Sequence, residues 1–307
     1  MSSHSGDVPS APASPPRDAK PLPPLGFIGW GAESAALLEM LRSRDPGVVG
    51  RATLLAGEVG QTPLSHAIPS AEGLFRAAEI VFAEGGPAVL EPHLPGIRLA
   101  ISDRHVLVLL GGGWSLGALL EHLHERKLAR MMVLPTASDA SGVRGTVAFH
   151  AAPYFLPGEL SDFRRLFDHL DVCAQLREEA QFESLLGLAE FAPAAFFTML
   201  EAMTDGMVMM GVPRATALEY LSALMQDSVR RLTEPGATPG RLREESLSVA
   251  VAAAGMIELE SAGMRGMIMR AIDRAVGLRK RSFNHSPPDT SATGGFSSRL
   301  TTLEEQD

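Results

Sequence analysis

Between residues 25 and 157, short apolar runs alternate with stretches of helical spacing, and this alternation constrains the fold more than any other feature of the chain. Several of the runs are continuously apolar, which is typical of strands covered on both faces. Strand, helix and strand repeated in this way predict a parallel sheet with right-handed crossovers. The expected strands are 25–28, 52–56, 79–83, 105–110 and 130–134, with helical stretches such as 32–44 and 115–126 between them.

The second half of the chain has a different texture. Leucine, alanine and methionine dominate from residue 178, and ten of the 14 methionines lie between Met199 and Met269. Helices this apolar on several faces need more partners than one small bundle supplies, so we expect a second copy of the chain as the partner. A channel for a hydrophobic ligand is the alternative use of the methionines. The expected helices are 178–188, 193–210, 214–233, 239–246 and 250–278.

Both ends of the chain contain little that is large and apolar. Residues 1–24 are rich in Ser, Pro and Ala, and residues 282–307 in Ser, Thr and Gly. Such segments cannot offset the entropy of ordering, so both are predicted to be disordered tails. The expected organisation is therefore an α/β domain over 25–157, a connecting segment over 158–177 and an all-α domain over 178–281.

Composition narrows the class of protein. The net charge of −9 argues against a nucleic-acid partner, which requires a basic face. The lone Cys173 cannot form an internal disulfide, and no leader or apolar run of about 18 residues is recognisable, so a cytoplasmic protein without a membrane partner is expected. No metal is expected, because His122 and His124 are two residues apart on a predicted helix and point to different faces.

A glycine-rich turn follows the first predicted strand. In the pattern Gly-x-Gly-x-x-Ser, the first glycine permits a tight turn and the second lets the backbone approach a diphosphate. The small serine lets the helix lie close to the sheet, and the helix N-terminus supplies free N–H donors. The alternative is a glycine turn kept only for packing. The candidate cofactor-binding residues of this turn are Gly29, Trp30, Gly31, Ala32, Glu33 and Ser34.

Two further segments bear on a nucleotide. Glu58 follows the second predicted strand, where an acid could hold ribose hydroxyls or could simply be a solvated loop residue. Gly111 and Gly112 could allow close approach of a nicotinamide, or form a flexible turn at a strand end. Trp114 could cover the cofactor or fill the sheet edge. The choice between NADPH and NADH stays open.

Taken together, these motifs resemble pyrroline-5-carboxylate reductase over roughly residues 25–278. The likeness begins with Gly-Phe-Ile-Gly-Trp-Gly at 26–31 and continues through 106–120 and Val-Leu-Pro-Thr at 133–136. In the helical half it is carried by Glu-Ala-Met-Thr-Asp-Gly at 201–206, Gly-Val-Pro-Arg at 211–214, residues 239–243 and Glu-Ser-Ala-Gly-Met-Arg-Gly at 260–266. The resemblance implies a Rossmann-like dinucleotide-binding domain followed by an all-α dimerisation domain, and NAD(P)H-dependent reduction of a cyclic imine.

The chain departs from that family where its members bind the imine. The family's Ser-Gly-Ser-Gly-Pro-Ala-Tyr segment is Ala-Glu-Phe-Ala-Pro-Ala-Ala at 189–195, and its Pro-Gly-Gly-Thr-Thr segment falls in Ser-Val-Ala-Val-Ala-Ala-Ala at 248–254. Its Val-Lys-Pro looks like Gly-Gly-Pro at 85–87, and its Pro-Asn-Thr-Pro is Pro-Thr-Ala-Ser at 135–138. Each lost hydrogen bond to a charged ligand costs about 1.5–3 kcal/mol, which disfavours an unmodified proline-forming enzyme.

Three polar residues remain as candidate catalytic groups: Thr136, Glu190 and Ser248. A carboxylate at Glu190 would stabilise an iminium cation and repel a substrate carboxylate, or it would be a solvent-facing acid. Two interpretations stay open. The chain is either a homodimeric reductase of a less anionic cyclic imine, with proline formation as the family-level default, or an inactive dimer that serves as a nucleotide-binding or regulatory scaffold.

Overall fold

The computed structural model describes residues 21–57, 62–139 and 142–284, and these form two compact units that divide between Phe182 and Glu183. Most predicted strands and helices lie near their expected positions, and the expected α/β followed by all-α class is confirmed. Of the predicted tails 1–24 and 282–307, residues 1–20 and 285–307 lie outside the described residues, as does Glu58. The described parts are not tails, because Leu22 is buried in the hydrophobic core and residues 282–284 continue the last helix.

The first unit is an α/β sandwich whose elements follow the alternation of the sequence. A 3-10 turn at Glu91–His93 joins two of its short helices. The strands are β1 Leu25–Ile28, β2 Thr53–Leu55, β3 His66–Ile68, β4 Ile80–Ala83, β5 Val106–Leu110, β6 Leu128–Asp139, β7 Gly142–Ala151 and β8 Val172–Gln175, and the helices are α1 Ala32–Arg44, α2 Val48–Arg51, α3 Ala71–Ala77, α4 Pro87–Leu90, α5 Leu94–Ala100, α6 Leu116–Leu123 and α7 Pro157–Arg165.

The eight strands form one sheet in the order β3-β2-β1-β4-β5-β6-β7-β8. Strands β1 to β6 pair in parallel, and β7 runs antiparallel to β6. The order up to β6 is the Rossmann order, in which the chain crosses over at β1 and continues on its other side at β4. Ligands of such sheets bind at the carboxyl ends of the strands at this switch point, so β1 and β4 position the candidate site.

Alternate residues of each strand feed two separate hydrophobic clusters, one on each face of the sheet. In β4, Ile80 and Phe82 pack into one cluster, whereas Val81 and Ala83 pack into the other. The first cluster includes the inner face of α1, and the second includes α3, α5 and α6. The continuous apolar runs of the sequence are thus explained by burial on both sides of the sheet.

Several boundaries differ from the sequence expectations. The segment expected to be a connector over 158–177 contains most of α7 and all of β8, and β7 pairs along its whole length with β6. The sequence 142–151 contains two glycines and polar residues, so no apolar run marks this strand. Its extended conformation depends on pairing with β6, a nonlocal interaction that local patterns do not reveal.

The second unit is entirely helical, as expected. The two helices predicted on either side of Pro193 form one continuous helix, because an internal proline removes a single backbone hydrogen bond while the apolar pattern continues past it. Conversely, the predicted helix 250–278 is divided at Gly263, whose φ of 72° favours glycine and ends the first part. The helices are α8 Glu179–Met209, which begins in the first unit, α9 Arg214–Leu232, α10 Pro239–Ser246, α11 Ala250–Ser261 and α12 Met264–Asn284.

The second unit has almost no core of its own. Among its described side chains, Leu186 and Ala217 are the only apolar ones that are buried, whereas Phe197, Met209 and Val251 are 71%, 80% and 82% exposed. Helix α8 is long enough and, at a mean hydropathy of 1.4, apolar enough to cross a membrane, which the sequence expectation did not anticipate. One such helix is weak evidence for a membrane, and its unpartnered apolar surface is also what a dimerisation helix requires.

Candidate dinucleotide site

The Gly29–Gly31 turn lies at the switch point of the sheet, between the end of β1 and the start of α1. Gly29 has a φ of 72°, in the region that favours glycine. A Cβ on Gly29 would lie 2.0 Å from the backbone oxygen of Glu84, the residue after β4. The first glycine is therefore required by the close approach of two strand ends, whether or not a ligand binds.

The carboxylate of Glu84 occupies the N-terminus of α1. Its Oε2 accepts hydrogen bonds from the backbone N–H of Gly31 at 3.0 Å and of Ser34 at 2.8 Å, and its Oε1 accepts one from Glu33 at 3.2 Å. A Cβ on Gly31 would lie 2.3 Å from Oε1, so the second glycine makes room for this carboxylate. The donors that a diphosphate would use are thus bonded to an anion of the chain itself.

A second carboxylate lies at the end of β5. Gly111 has a φ of 71°, and a Cβ there would lie 2.4 Å from Oε1 of Glu33. The narrow cleft lined by Glu84, Gly86, Gly111, Gly112 and Trp114, among others, has a cavity volume of only about 10 Å³ in this arrangement. The predicted residues Gly111 and Gly112 are therefore brought close to the glycine turn.

A fully buried arginine on β6 contacts the backbone that follows β5. The Nε of Arg130, on β6, donates to the backbone oxygen of Gly111 at 3.3 Å, and its guanidinium lies 4.3 Å from the centre of the Phe182 ring. Its Nη1 is 3.4 Å from the carboxylate of Glu179, which also accepts a hydrogen bond from the N–H of Leu116 at 2.7 Å. This network fixes the loop between β5 and α6.

The side chains of the other predicted residues near the turn pack within the first unit. Trp30 is half-buried and packs edge-on against Phe27, with 5.2 Å between ring centres, so its ring does not fill the turn. Ala32 begins α1. Ser34 is fully buried, and its Oγ has no hydrogen-bond partner among the described residues. Trp114 is buried in the cluster that contains α6, so it fills the sheet edge while also lining the cleft.

The three candidate catalytic residues are distributed over both units. Thr136 lies in β6 where the register with β7 shifts between Pro135 and Ala137. Glu190, on α8, is an exposed acid whose Oε1 is 3.5 Å from Nη1 of Arg279, and Arg279 also pairs with the buried Glu183 at 3.3 Å. Ser248 is exposed before α11, and its Oγ donates to the backbone oxygen of Glu245 at 2.8 Å. Glu190 and Ser248 belong to the second unit and Thr136 to the first.

The lone cysteine is not placed for chemistry. Cys173, on β8, is half-buried and packs against the cluster that contains α1. Burial raises the pKa of its thiol above the ordinary value, which disfavours the reactive thiolate. Among the described residues there is also no group of three side chains suited to a metal ion.

Sequence reasoning missed Glu84, Arg130 and Glu179. A signal for Glu84 was present: an acid directly follows an entirely apolar strand, beside two glycines, at the carboxyl edge of the sheet. A signal for Arg130 was also present, because a lone arginine interrupts an apolar run and must have a partner when buried. Nothing local marks Glu179 as that partner.

The site fits a dinucleotide in its backbone but not in its present side-chain arrangement. The turn, the helix N-terminus and the position in the sheet are those that a diphosphate requires. The three N–H donors, however, are already bonded to Glu84. A diphosphate can take this position only when the Glu84 carboxylate has turned away.

Comparisons with known proteins agree with the geometry. Residues 179–281 match the family model described as pyrroline-5-carboxylate reductase dimerisation. The chain is 24% identical over 260 residues to pyrroline-5-carboxylate reductase of Escherichia coli, covering 82% of this chain and 95% of that protein. It is 25% identical over 262 residues to the enzyme of the same name from Methanosarcina acetivorans, covering 82% and 94%.

Solved structures show the same fold. A pyrroline-5-carboxylate reductase from Coxiella burnetii superposes with a TM-score of 0.71 at 18% identity, covering 84% of this chain and 98% of that one. The Plasmodium falciparum pyrroline carboxylate reductase, solved with NADP bound, gives 0.66 at 18% identity, covering 84% and 97%.

The fold is thus a Rossmann-ordered α/β unit followed by a helical region that matches the dimerisation model of the pyrroline-5-carboxylate reductases. The similarity to these relatives extends over most of the chain. The chain is similar to pyrroline-5-carboxylate reductases over most of its length, which confirms the resemblance carried by its motifs.

Proposed function

We propose that the chain is a homodimeric, NADPH- or NADH-dependent reductase that reduces the C=N bond of a cyclic imine to a secondary amine. The observation that carries this proposal is the Gly29–Gly31 turn at the switch point of a Rossmann-ordered sheet, in the same chain as helices of the dimerisation type. We propose that this acidic protein is located in the cytoplasm. Formation of proline from 1-pyrroline-5-carboxylate is the family-level default.

The cofactor would supply the hydride, and the protein would supply binding and orientation. Backbone N–H groups of Gly31, Glu33 and Ser34 would hold the diphosphate once Glu84 has turned away. Gly111 and Gly112 would lie beside the nicotinamide half at the end of β5, and the cleft there, about 10 Å³ in this arrangement, would have to open to admit it. Holding the two reacting carbons in line and excluding water is then the main contribution of the chain.

We propose a substrate less anionic than 1-pyrroline-5-carboxylate. The segments that align with the family's hydroxyl-rich imine site contain mainly alanine, valine and phenylalanine. Glu190 introduces a carboxylate there, where the family's segment is neutral, and its side chain is exposed beside Arg279. A carboxylate at this position favours an iminium cation over a substrate that carries its own carboxylate. Thr136, in the first unit, and Ser248, in the second, are the remaining hydroxyls that we propose for the reaction.

A comparison of two imines tests this assignment. With saturating NADPH, the wild-type dimer is expected to reduce 1-pyrroline faster than 1-pyrroline-5-carboxylate, followed by the loss of NADPH absorbance. Glu190→Gln should narrow the difference because the variant removes the repulsion, whereas Glu201→Gln, on the same helix, is the matched control. Faster turnover of 1-pyrroline-5-carboxylate by the wild type would contradict the substrate assignment.

A noncatalytic dimeric scaffold is the second candidate. The position of the Glu84 carboxylate at the N-terminus of α1 favours this candidate, because a carboxylate there competes with the cofactor diphosphate and weakens its binding. A folded dimer that binds NADPH and reduces neither imine would support this candidate over the enzyme.

A further inference from the structure

The α1 N-terminus is an anion site that the chain fills with its own side chain. The backbone N–H groups of Gly31, Glu33 and Ser34 all donate to the Glu84 carboxylate, at N···O distances of 2.8 to 3.2 Å. The helix dipole adds a partial positive charge at the same point, and Gly31 has no side chain that would exclude the carboxylate. Glu84 thus satisfies the site with the interactions that a phosphate oxygen would make.

The position of Glu84 places it in direct competition with a dinucleotide. It immediately follows β4, and its N–H extends the β1–β4 ladder by donating to the Ile28 backbone oxygen at 2.9 Å. Its carboxylate therefore lies in the switch-point crevice. Glu33 adds a second carboxylate beside Gly111, so a diphosphate entering the cleft meets two like charges.

The Glu84 carboxylate can leave the N-terminus of α1 by side-chain rotation. The residue is only half-buried, and both residues that follow it are glycines with positive φ, Gly85 at 109° and Gly86 at 71°. No side chain of these two residues hinders rotation of the carboxylate towards solvent. The filled and the open arrangements thus differ by a side-chain rotation and need no rearrangement of the sheet.

We propose that Glu84 is the residue that sets the dinucleotide affinity of this chain, as an internal anion that a diphosphate must displace. The proposal rests on the proposed function for the identity of the ligand. Glu84 faces the diphosphate that NADH and NADPH share, so it weakens both equally and does not discriminate between them. A ligand without a diphosphate gains nothing from its removal.

Calorimetric titration of the full-length protein tests the proposal with Glu84→Ala and Glu84→Gln. The ligands are NADH, NADPH, inorganic pyrophosphate and adenosine. Removal of the carboxylate is expected to tighten binding of the three diphosphate compounds by about 10- to 100-fold, the factor carried by one hydrogen bond to a charged group. The gain should be the same for NADH and NADPH, and binding of adenosine should not change.

Glu79→Gln is the matched control. Glu79 is an exposed acid at the opposite end of β4, so its loss changes the net charge equally without touching the site. Its affinities should remain within about twofold of the wild type. Glu84→Gln keeps the shape of the side chain and covers the case in which Glu84→Ala fails to fold.

Two results would overturn the proposal. One is a folded Glu84 variant that binds NADH and pyrophosphate no more tightly than the wild type. The other is a folded variant that binds neither, because the freed donors are expected to hold a diphosphate. Failure of the proposed function is distinguishable, since it would appear as tight dinucleotide binding by the variant without reduction of any imine.

Discussion

Gly31 and Glu84 should be energetically coupled, and a double-mutant cycle on folding stability measures the coupling. Gly31 has a φ of −141°, which any residue can adopt, so Gly31→Ala introduces no backbone strain. Its Cβ, however, would lie 2.3 Å from Oε1 of Glu84 and must expel the carboxylate. Both single changes therefore break the same three hydrogen bonds.

The structure gives the size of the effect. Hydrogen bonds to charged groups contribute about 1.5–3 kcal/mol each, and half-exposure of Glu84 reduces this to about 1 kcal/mol for each of the three. Glu84→Ala should therefore lower the free energy of unfolding by about 3 kcal/mol. Gly31→Ala should lower the free energy of unfolding by about 2 kcal/mol. The loss is smaller because replacing glycine also lowers the conformational entropy of the unfolded chain, which stabilises the folded protein by about 0.4–1 kcal/mol. The double variant should lose about 2 kcal/mol, because the same three hydrogen bonds are absent and the gain from replacing glycine remains, which gives a coupling of about 3 kcal/mol.

Urea unfolding of the four proteins, followed by circular dichroism, provides the assay. Gly158→Ala is the matched control, because Gly158 lies in α7 with open space around its Cβ position and its replacement should stabilise the protein by about 0.5–1 kcal/mol. Additivity of Gly31→Ala and Glu84→Ala to within about 0.5 kcal/mol would refute the contact on which the site is built.

Two further predictions concern the dimer and the pH. Phe197→Asp should raise the dimer dissociation constant at least about tenfold in sedimentation equilibrium, because a 71% exposed ring is expected to be buried by the partner, and an unchanged dimer would place Phe197 outside the interface. Burial lowers the pKa of His169 below its ordinary 6.5, so the unfolded chain takes up the proton first and stability should fall as the pH drops below about 6.5. His169→Gln should reduce that slope in urea unfolding, and an equal slope would contradict the assignment. His105 has a pKa lowered in the same direction by burial and should account for part of the remaining slope.

The central strands were predictable because burial on both faces leaves a local signature. The runs that became β1, β4 and β5 are continuously apolar, and the turn after β1 has a recognisable glycine pattern. Strand β7 has no such signature, because its conformation depends on pairing with β6. The long α8 was divided wrongly at Pro193, since proline weakens a helix locally while the apolar pattern on either side sustains it.

The backbone of the candidate site could be predicted from the sequence, but the side chain that fills it could not. The glycines mark where the chain must pass closely, but their spacing does not say whether a ligand or a neighbouring side chain fills the space they leave. Here Glu84, distant in sequence from Gly31, supplies that side chain. Glu190 was recognised as an acid, whereas its pairing with Arg279 depends on the packing of α8 against α12.

Formation of pyrrolidine from 1-pyrroline and NADPH tests the central claim most directly. The wild-type protein and Glu84→Ala should both yield pyrrolidine, with the variant reaching half-maximal rate at a lower NADPH concentration. If neither protein forms any pyrrolidine while both remain folded dimers, the chain is not an imine reductase of this substrate class.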